Sequence, residues 1–158
     1  MRGNPDVINS LNKILTLELT SINQFFLHAR MLGNWGFEQL NKAEYKKSIL
    51  DMKQADRIIE RVLMLEGLPN LQKLEKLHIG ETAEEMFNCD LTFINAQLTE
   101  LRTAIKLCED NKDFVSRDLL VNILNEEEDY VDLPRIGFTF NQKDYGRLRA
   151  LINVLNGM

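Results

Sequence analysis

The chain has 158 residues, 44% of them hydrophobic and 27% charged, with only 8 Gly and 3 Pro, a composition that predicts one compact, helix-rich domain with a substantial core. A formal net charge of −5, with no basic run longer than two residues, disfavours nucleic acid and anionic membrane as partners. No run of about 18 apolar residues can span a bilayer, no signal-peptide core precedes Leu11, and two cysteines without CxxC spacing fit a reduced cytoplasm.

Glycine and proline punctuate the chain at Asn4-Pro5, Gly33 to Gly36, Gly67 to Pro69, Gly80, and again at Pro134, Gly137 and Gly146. The intervening segments, about 25 to 30 residues long, are too long for strands. The first opens with Asn4 as N-cap, Pro5 at the first helical position and Asp6 on the positive dipole end. Its apolar stripe is Ile8, Leu11, Leu15, Ile22, Phe25, Ala29 and Leu32, interrupted by Glu18.

The second helix, from about Leu40 to Glu66, has two apolar faces. Ala55, Ile58 and Val62 form one, with Asp51 a turn earlier; Tyr45, Ile49, Met52, Ile59 and Leu63 form the other. A bundle helix needs one buried face, so the second face predicts a partner helix from another subunit. Thr82 and Glu85 form a capping box for the third helix. Its stripe, Phe87, Leu91, Ile94, Leu98, Leu101, Ile105 and Cys108, has no polar member. Cys89 and Cys108 lie about 28 Å apart along this helix, too far to bond, and read as structural thiols. Asp113 caps the fourth helix, whose stripe is Leu120, Ile123, Glu127 and Tyr130, and Pro134 should end or kink it.

Residues 1–158 thus read as one all-α domain. About 1–132 supply four bundle helices, and 133–158 form a divergent tail with a short fifth helix. The connection from Gly67 to Gly80 is long enough to cross the bundle, so two helical hairpins joined by a crossover give a ferritin-like four-helix bundle.

Glu18, Asp51 and Glu127 occupy core positions on three different helices. Buried carboxylates are expensive unless cations or hydrogen-bond donors face them. Three at similar heights point to a metal site, because oxygen ligands on facing bundle helices are what a di-iron centre uses. The two histidines, His28 and His78, lack ligand spacing and read as ordinary polar residues.

From Met1 to about Asp132 the chain also resembles the bacterioferritins. The resemblance rests on Val7-Ile8-Asn9, Leu11-Asn12-Lys13, Ile22-Asn23-Gln24, Phe26-Leu27-His28-Ala29-Arg30-Met31, Glu60-Arg61, Leu65-Glu66-Gly67-Leu68-Pro69-Asn70-Leu71 and Val115-Ser116-Arg117-Asp118. It implies a 24-subunit iron-storage cage with haem b at two-fold interfaces and a ferroxidase centre in each bundle. Carried over residue by residue, the ferroxidase ligands are depleted. Glu18, Asp51 and Glu127 keep acids, whereas the two histidine positions hold Gln54 and Tyr130 and the bridging glutamate is Ile94. The tyrosine beside the family's centre is Phe25, and inner-surface His and Asp positions hold Lys46 and Leu50. The reading is therefore a polar network in which Gln54 and Tyr130 donate to the three acids.

The haem positions, by contrast, are kept. The resemblance makes Met52 the axial ligand and Ile22, Asn23, Phe26, Tyr45, Ile49, Ala55 and Asp56 its pocket. Bis-thioether ligation suits electron transfer. An apolar patch of Met31, Leu68, Pro69, Leu71, Leu74 and Leu77, rimmed by Glu81 and Glu85, corresponds to the docking surface for the bacterioferritin-associated ferredoxin. The expected function is a haem-carrying storage subunit that co-assembles with a ferroxidase-competent bacterioferritin subunit. The alternatives are a homomeric ferroxidase using Glu18, Asp51, Glu127 and Tyr130, and a non-catalytic homomeric haem cage.

Overall fold

The computed structural model describes residues 2–132. Four helices follow in order: α1 (Pro5–Asn34), α2 (Glu38–Met64), α3 (Ala83–Asp110) and α4 (Phe114–Asp132). The fifth helix and the break expected at Pro134 lie outside the described residues.

The helix starts follow the sequence signals. Asn4 Oδ1 accepts from the Asp6 N–H at 2.8 Å, Thr82 Oγ1 from the Glu85 N–H at 3.1 Å, and Asp113 Oδ1 from the Ser116 N–H at 3.0 Å. The return bond of the α3 box goes one residue upstream, with Glu85 Oε2 accepting from the Glu81 N–H at 2.8 Å. Short turns join α1 to α2 and α3 to α4, so each pair forms a hairpin.

Between the hairpins, the chain from α2 to α3 runs without helix or strand and is hydrogen-bonded along α1. Asn12 accepts from the Asn70 N–H at 2.9 Å, Thr20 from the Glu75 N–H at 2.9 Å, Gln24 from the His78 N–H at 3.2 Å, and His28 from the Gly80 N–H at 3.1 Å. Both residue series ascend together, so the crossover runs parallel to α1 and delivers α3 at the end where α1 finishes. Only glycine fits at position 80, because a Cβ there would overlap the Met86 backbone nitrogen.

The main core joins all four helices through Leu11, Leu15, Ile58, Val62, Leu101, Leu120 and Ile123. Two smaller clusters extend it: Leu32, Phe37, Leu40, Met86 and Phe87 at one end, and Phe25, Ile94, Leu98 and Tyr130 beside the acids. Cys108 is buried and Cys89 half-buried, both as free thiols. The Cys108 thiol is pushed up to about 11, chiefly by burial, as expected of a structural cysteine.

One expectation about faces needs correction, and a second is extended. The buried surface of α3 is not purely apolar, since Asp90 and Gln97 lie within it. The buried surface of α2 runs Leu40, Glu44, Lys47, Asp51, Gln54, Ile58 and Arg61, a strict four-three spacing that keeps one face inward although five of its seven members are polar.

Candidate functional site

Glu18 on α1, Asp51 on α2 and Glu127 on α4 are fully buried, and ligand atoms of all three lie within 4.8 Å of one another. A fourth charged group, missed in the sequence, completes the cluster. Lys47, one turn before Asp51, is about 1% exposed. Its Nζ donates to Asp51 Oδ1 and, at 3.1 Å, to Glu127 Oε1. The same nitrogen lies 5.0 Å from the centroids of both Phe25 and Tyr130, whose rings meet edge to face at 6.0 Å. The ammonium is thus held by two carboxylates and two aromatic rings, with each type of contact favouring the cation.

The remaining donors also differ from expectation. Ser21 Oγ donates to Asp51 Oδ2, and Gln97 Nε2 donates to Glu18 Oε1 at 2.8 Å. Gln54 instead faces α4, where its Nε2 donates to Glu126 Oε2 at 2.9 Å beside the Arg57–Glu126 ion pair. Tyr130 contributes its ring to the ammonium. Ile94 is fully buried against Phe25, Leu98 and Tyr130, so α3 presents an alkyl group where the resemblance implied the family's bridging acid.

Electrostatics follow from this packing. Burial, then repulsion from Asp51 and Glu127, raises the Glu18 carboxyl well above its usual range against the pull of Lys47. Burial raises Asp51 to about 7, with Lys47 the main opposing influence. Lys47 is raised above the ordinary lysine range because the attraction of Asp51, Glu127 and Glu18 outweighs desolvation. Its ammonium therefore stays charged throughout the physiological range.

A second buried group of His28, Glu44 and Asp90 also brings ligand atoms within 4.8 Å. Here His28 Nε2 accepts the Gly80 N–H, which leaves Nδ1 as the donor nitrogen, 2.9 Å from Asp90 Oδ1. Gln24 Nε2 donates to the same Asp90 oxygen at 2.9 Å. Both imidazole nitrogens are thus engaged in holding the crossover to α1 and α3, a structural role for His28 that its spacing in the sequence does not reveal. His78 contributes its backbone N–H, and its side chain is exposed.

On the outward face of α1 and α2, Met52, Phe26 and Tyr45 are exposed, Met52 by 53%. Asn23 and Asp56 are exposed beside them, and Ile22 and Ile49 are half-buried. Arg30 lies 5.1 Å from the Phe26 centroid and 5.0 Å from that of Tyr45, fixing both rings through cation–π contacts. Ala55 departs from this group: it is 3% exposed and belongs to the main core. In the crossover patch Leu68, Leu71 and Leu74 are exposed, while Met31 packs partly into the end cluster.

Residues 8–133 match the ferritin-like domain family. The bacterioferritin of Mycobacterium bovis is 42% identical over 132 residues, covering 84% of this chain and 83% of that protein. The chain belongs to the bacterioferritin family. The bacterioferritin of Rhodobacter capsulatus is 41% identical over 132 residues, covering 84% of this chain and 82% of its own. That of Brucella melitensis is 36% identical over 158 residues, covering 95% and 96%. The Brucella alignment therefore continues past residue 132 into the tail. Among the described residues of this bacterioferritin, no helix is long and apolar enough to cross a membrane.

Proposed function

We propose that this chain is a cytoplasmic iron-storage subunit that supplies shell wall and haem b binding to a 24-subunit bacterioferritin cage without oxidising iron in its own bundle. The observation that carries this reading is Lys47, whose ammonium stands among Glu18, Asp51 and Glu127. Two ferrous ions need several carboxylates and an imidazole each. The residues present do not fit that requirement, because the bridging position is Ile94, the imidazole positions are Gln54 and Tyr130, and a fixed positive charge is already in place. No oxidation step is therefore assigned to this site. A ferroxidase-competent sister subunit would supply it.

The outward face fits haem better than solvent. A thioether exposed beside two aromatic rings is a poor surface for water and a suitable one for a porphyrin shared between two copies of the chain. Met52 would ligate the haem iron, with Ile22, Asn23, Phe26, Tyr45, Ile49 and Asp56 around the macrocycle and Ala55 supporting the helix from within. Bound there, haem supplies one-electron transfer. The exposed Leu68, Leu71 and Leu74 are available to a small electron-donor protein such as the bacterioferritin-associated ferredoxin.

Met52→Leu is expected to abolish the visible haem bands while cage assembly persists, and full haem retention would contradict the assignment. Native mass spectrometry of the complex from its source is expected to show a mixed shell. A pure homomer that rapidly oxidises stoichiometric ferrous ion, with the activity lost in Glu18→Ala, would instead favour the homomeric ferroxidase reading.

A further inference from the structure

Three features of the acid cluster lack an account if Lys47 is only a packing residue. Lysine is among the side chains least often buried completely, yet its Nζ reaches two carboxylates from α2 and α4 and sits against two aromatic rings. Glu18 Oε2 and Glu127 Oε2 are buried with no hydrogen-bond partner among the described residues. Ligand atoms of the three acids are close enough together to share one ion.

We infer that Lys47 is a built-in counter-ion occupying a site suited to one divalent cation, and that its ammonium excludes metal from the bundle. The inference rests on the reading of this chain as a subunit without an oxidation centre, and goes further in holding that the three acids alone take up one divalent cation once the ammonium is removed. Removal of the side chain leaves three carboxylates around a space open to a hard or borderline divalent cation, with water completing its coordination. The pair Lys47–Asp51 is intrahelical, at a spacing of four, so the ammonium is carried on the same rigid turn as one of the acids. Exclusion would then need no conformational change, because the competing charge is covalently present at every moment.

The test is a Co(II) titration of the full-length assembled protein, wild type and Lys47→Ala, followed by visible ligand-field absorption and equilibrium dialysis. The wild type is expected to take up no cobalt at this site. Lys47→Ala is expected to bind one ion per chain, a gain of about 100-fold or more in affinity, the scale on which a buried charge pair competes. The gain should vanish in Lys47→Ala/Asp51→Asn. Equal binding by wild type and Lys47→Ala, or none by a folded Lys47→Ala, would overturn the inference.

If Lys47→Ala does not fold alone, refolding with Co(II) or as Lys47→Gln decides the matter. Recovery with metal supports a missing cation, and failure under both conditions contradicts it. Ferrous oxidation by the wild type and haem bands in Met52→Leu report separately on the proposed function, since neither depends on cobalt uptake by the Lys47 variants.

Discussion

Two buried clusters in this bundle, Glu18–Asp51–Glu127 and His28–Glu44–Asp90, each bring three ligand atoms within 4.8 Å of one another, yet their lone pairs and charges are arranged differently. In the first, the ammonium of Lys47 pairs with two of the three carboxylates. In the second, the imidazole is hydrogen-bonded at both nitrogens, and the cluster fastens the crossover segment to α1 and α3. Proximity of ligand atoms therefore does not define a metal centre; free lone pairs facing an uncompensated charge do. One cluster holds a charge balance and the other holds a strand of backbone, so their variants should fail in different ways.

The largest effect is expected at the charge balance. Lys47→Met leaves buried acids without their cation and should cost about 3–5 kcal/mol of unfolding free energy, measured by chemical denaturation. Adding Asp51→Asn should recover part of that loss. Recovery of none would separate the lysine's contribution from its charge. At the second cluster, His28→Phe strands the Gly80 N–H and one donor contact to Asp90, for about 2–3 kcal/mol. Hydrogen exchange should rise at Gly80 and His78 in the crossover, whereas Lys47→Met should leave those amides protected.

A pH titration distinguishes the clusters next. Asp51 loses its proton near 3.8 when unfolded and near 7 when folded. Between those values the folded chain holds more protons, so this contribution to stability is fully present below the unfolded value and falls as pH rises towards 7. Glu18, also raised, acts in the same direction. The slope from Asp51 is at most about 1.4 kcal/mol per pH unit, and Asp51→Asn should flatten it. The smallest effect is expected outside both clusters. The Arg57–Glu126 pair, with each side chain about one third exposed, should give less than about 1 kcal/mol on Arg57→Ala.

Much of this arrangement was legible in the residue pattern. Asn4, Thr82 and Asp113 announced three helix starts because each cap is a local interaction between neighbouring residues. The length between Gly67 and Gly80 implied a crossover because a short turn joins antiparallel neighbours, whereas a long connection lets α2 and α3 run parallel. Glu18, Asp51 and Glu127 stood out as acids on apolar stripes. Lys47 did not, because it follows Lys46 and reads as half of a solvated pair, while the apolar members of its own face, Ala55, Ile58 and Val62, all come after Asp51. Extending the Asp51 position by four-three steps back through Lys47 and Glu44 to Leu40 would have found it. Likewise, Asn12, Thr16, Thr20, Gln24 and His28 recur every four residues on α1. Four of these five polar side chains accept backbone N–H groups from the crossover, an interaction between distant segments that no local rule reveals.

The central claim is that the ammonium of Lys47 stands where a metal ion would. Crystals of the wild-type homomer soaked in ferrous iron and examined at the iron absorption edge test it most directly. No anomalous peak is expected among Glu18, Asp51 and Glu127, with the Lys47 ammonium still within hydrogen-bond distance of Asp51 and Glu127. A strong peak there, with Lys47 swung away, would contradict it.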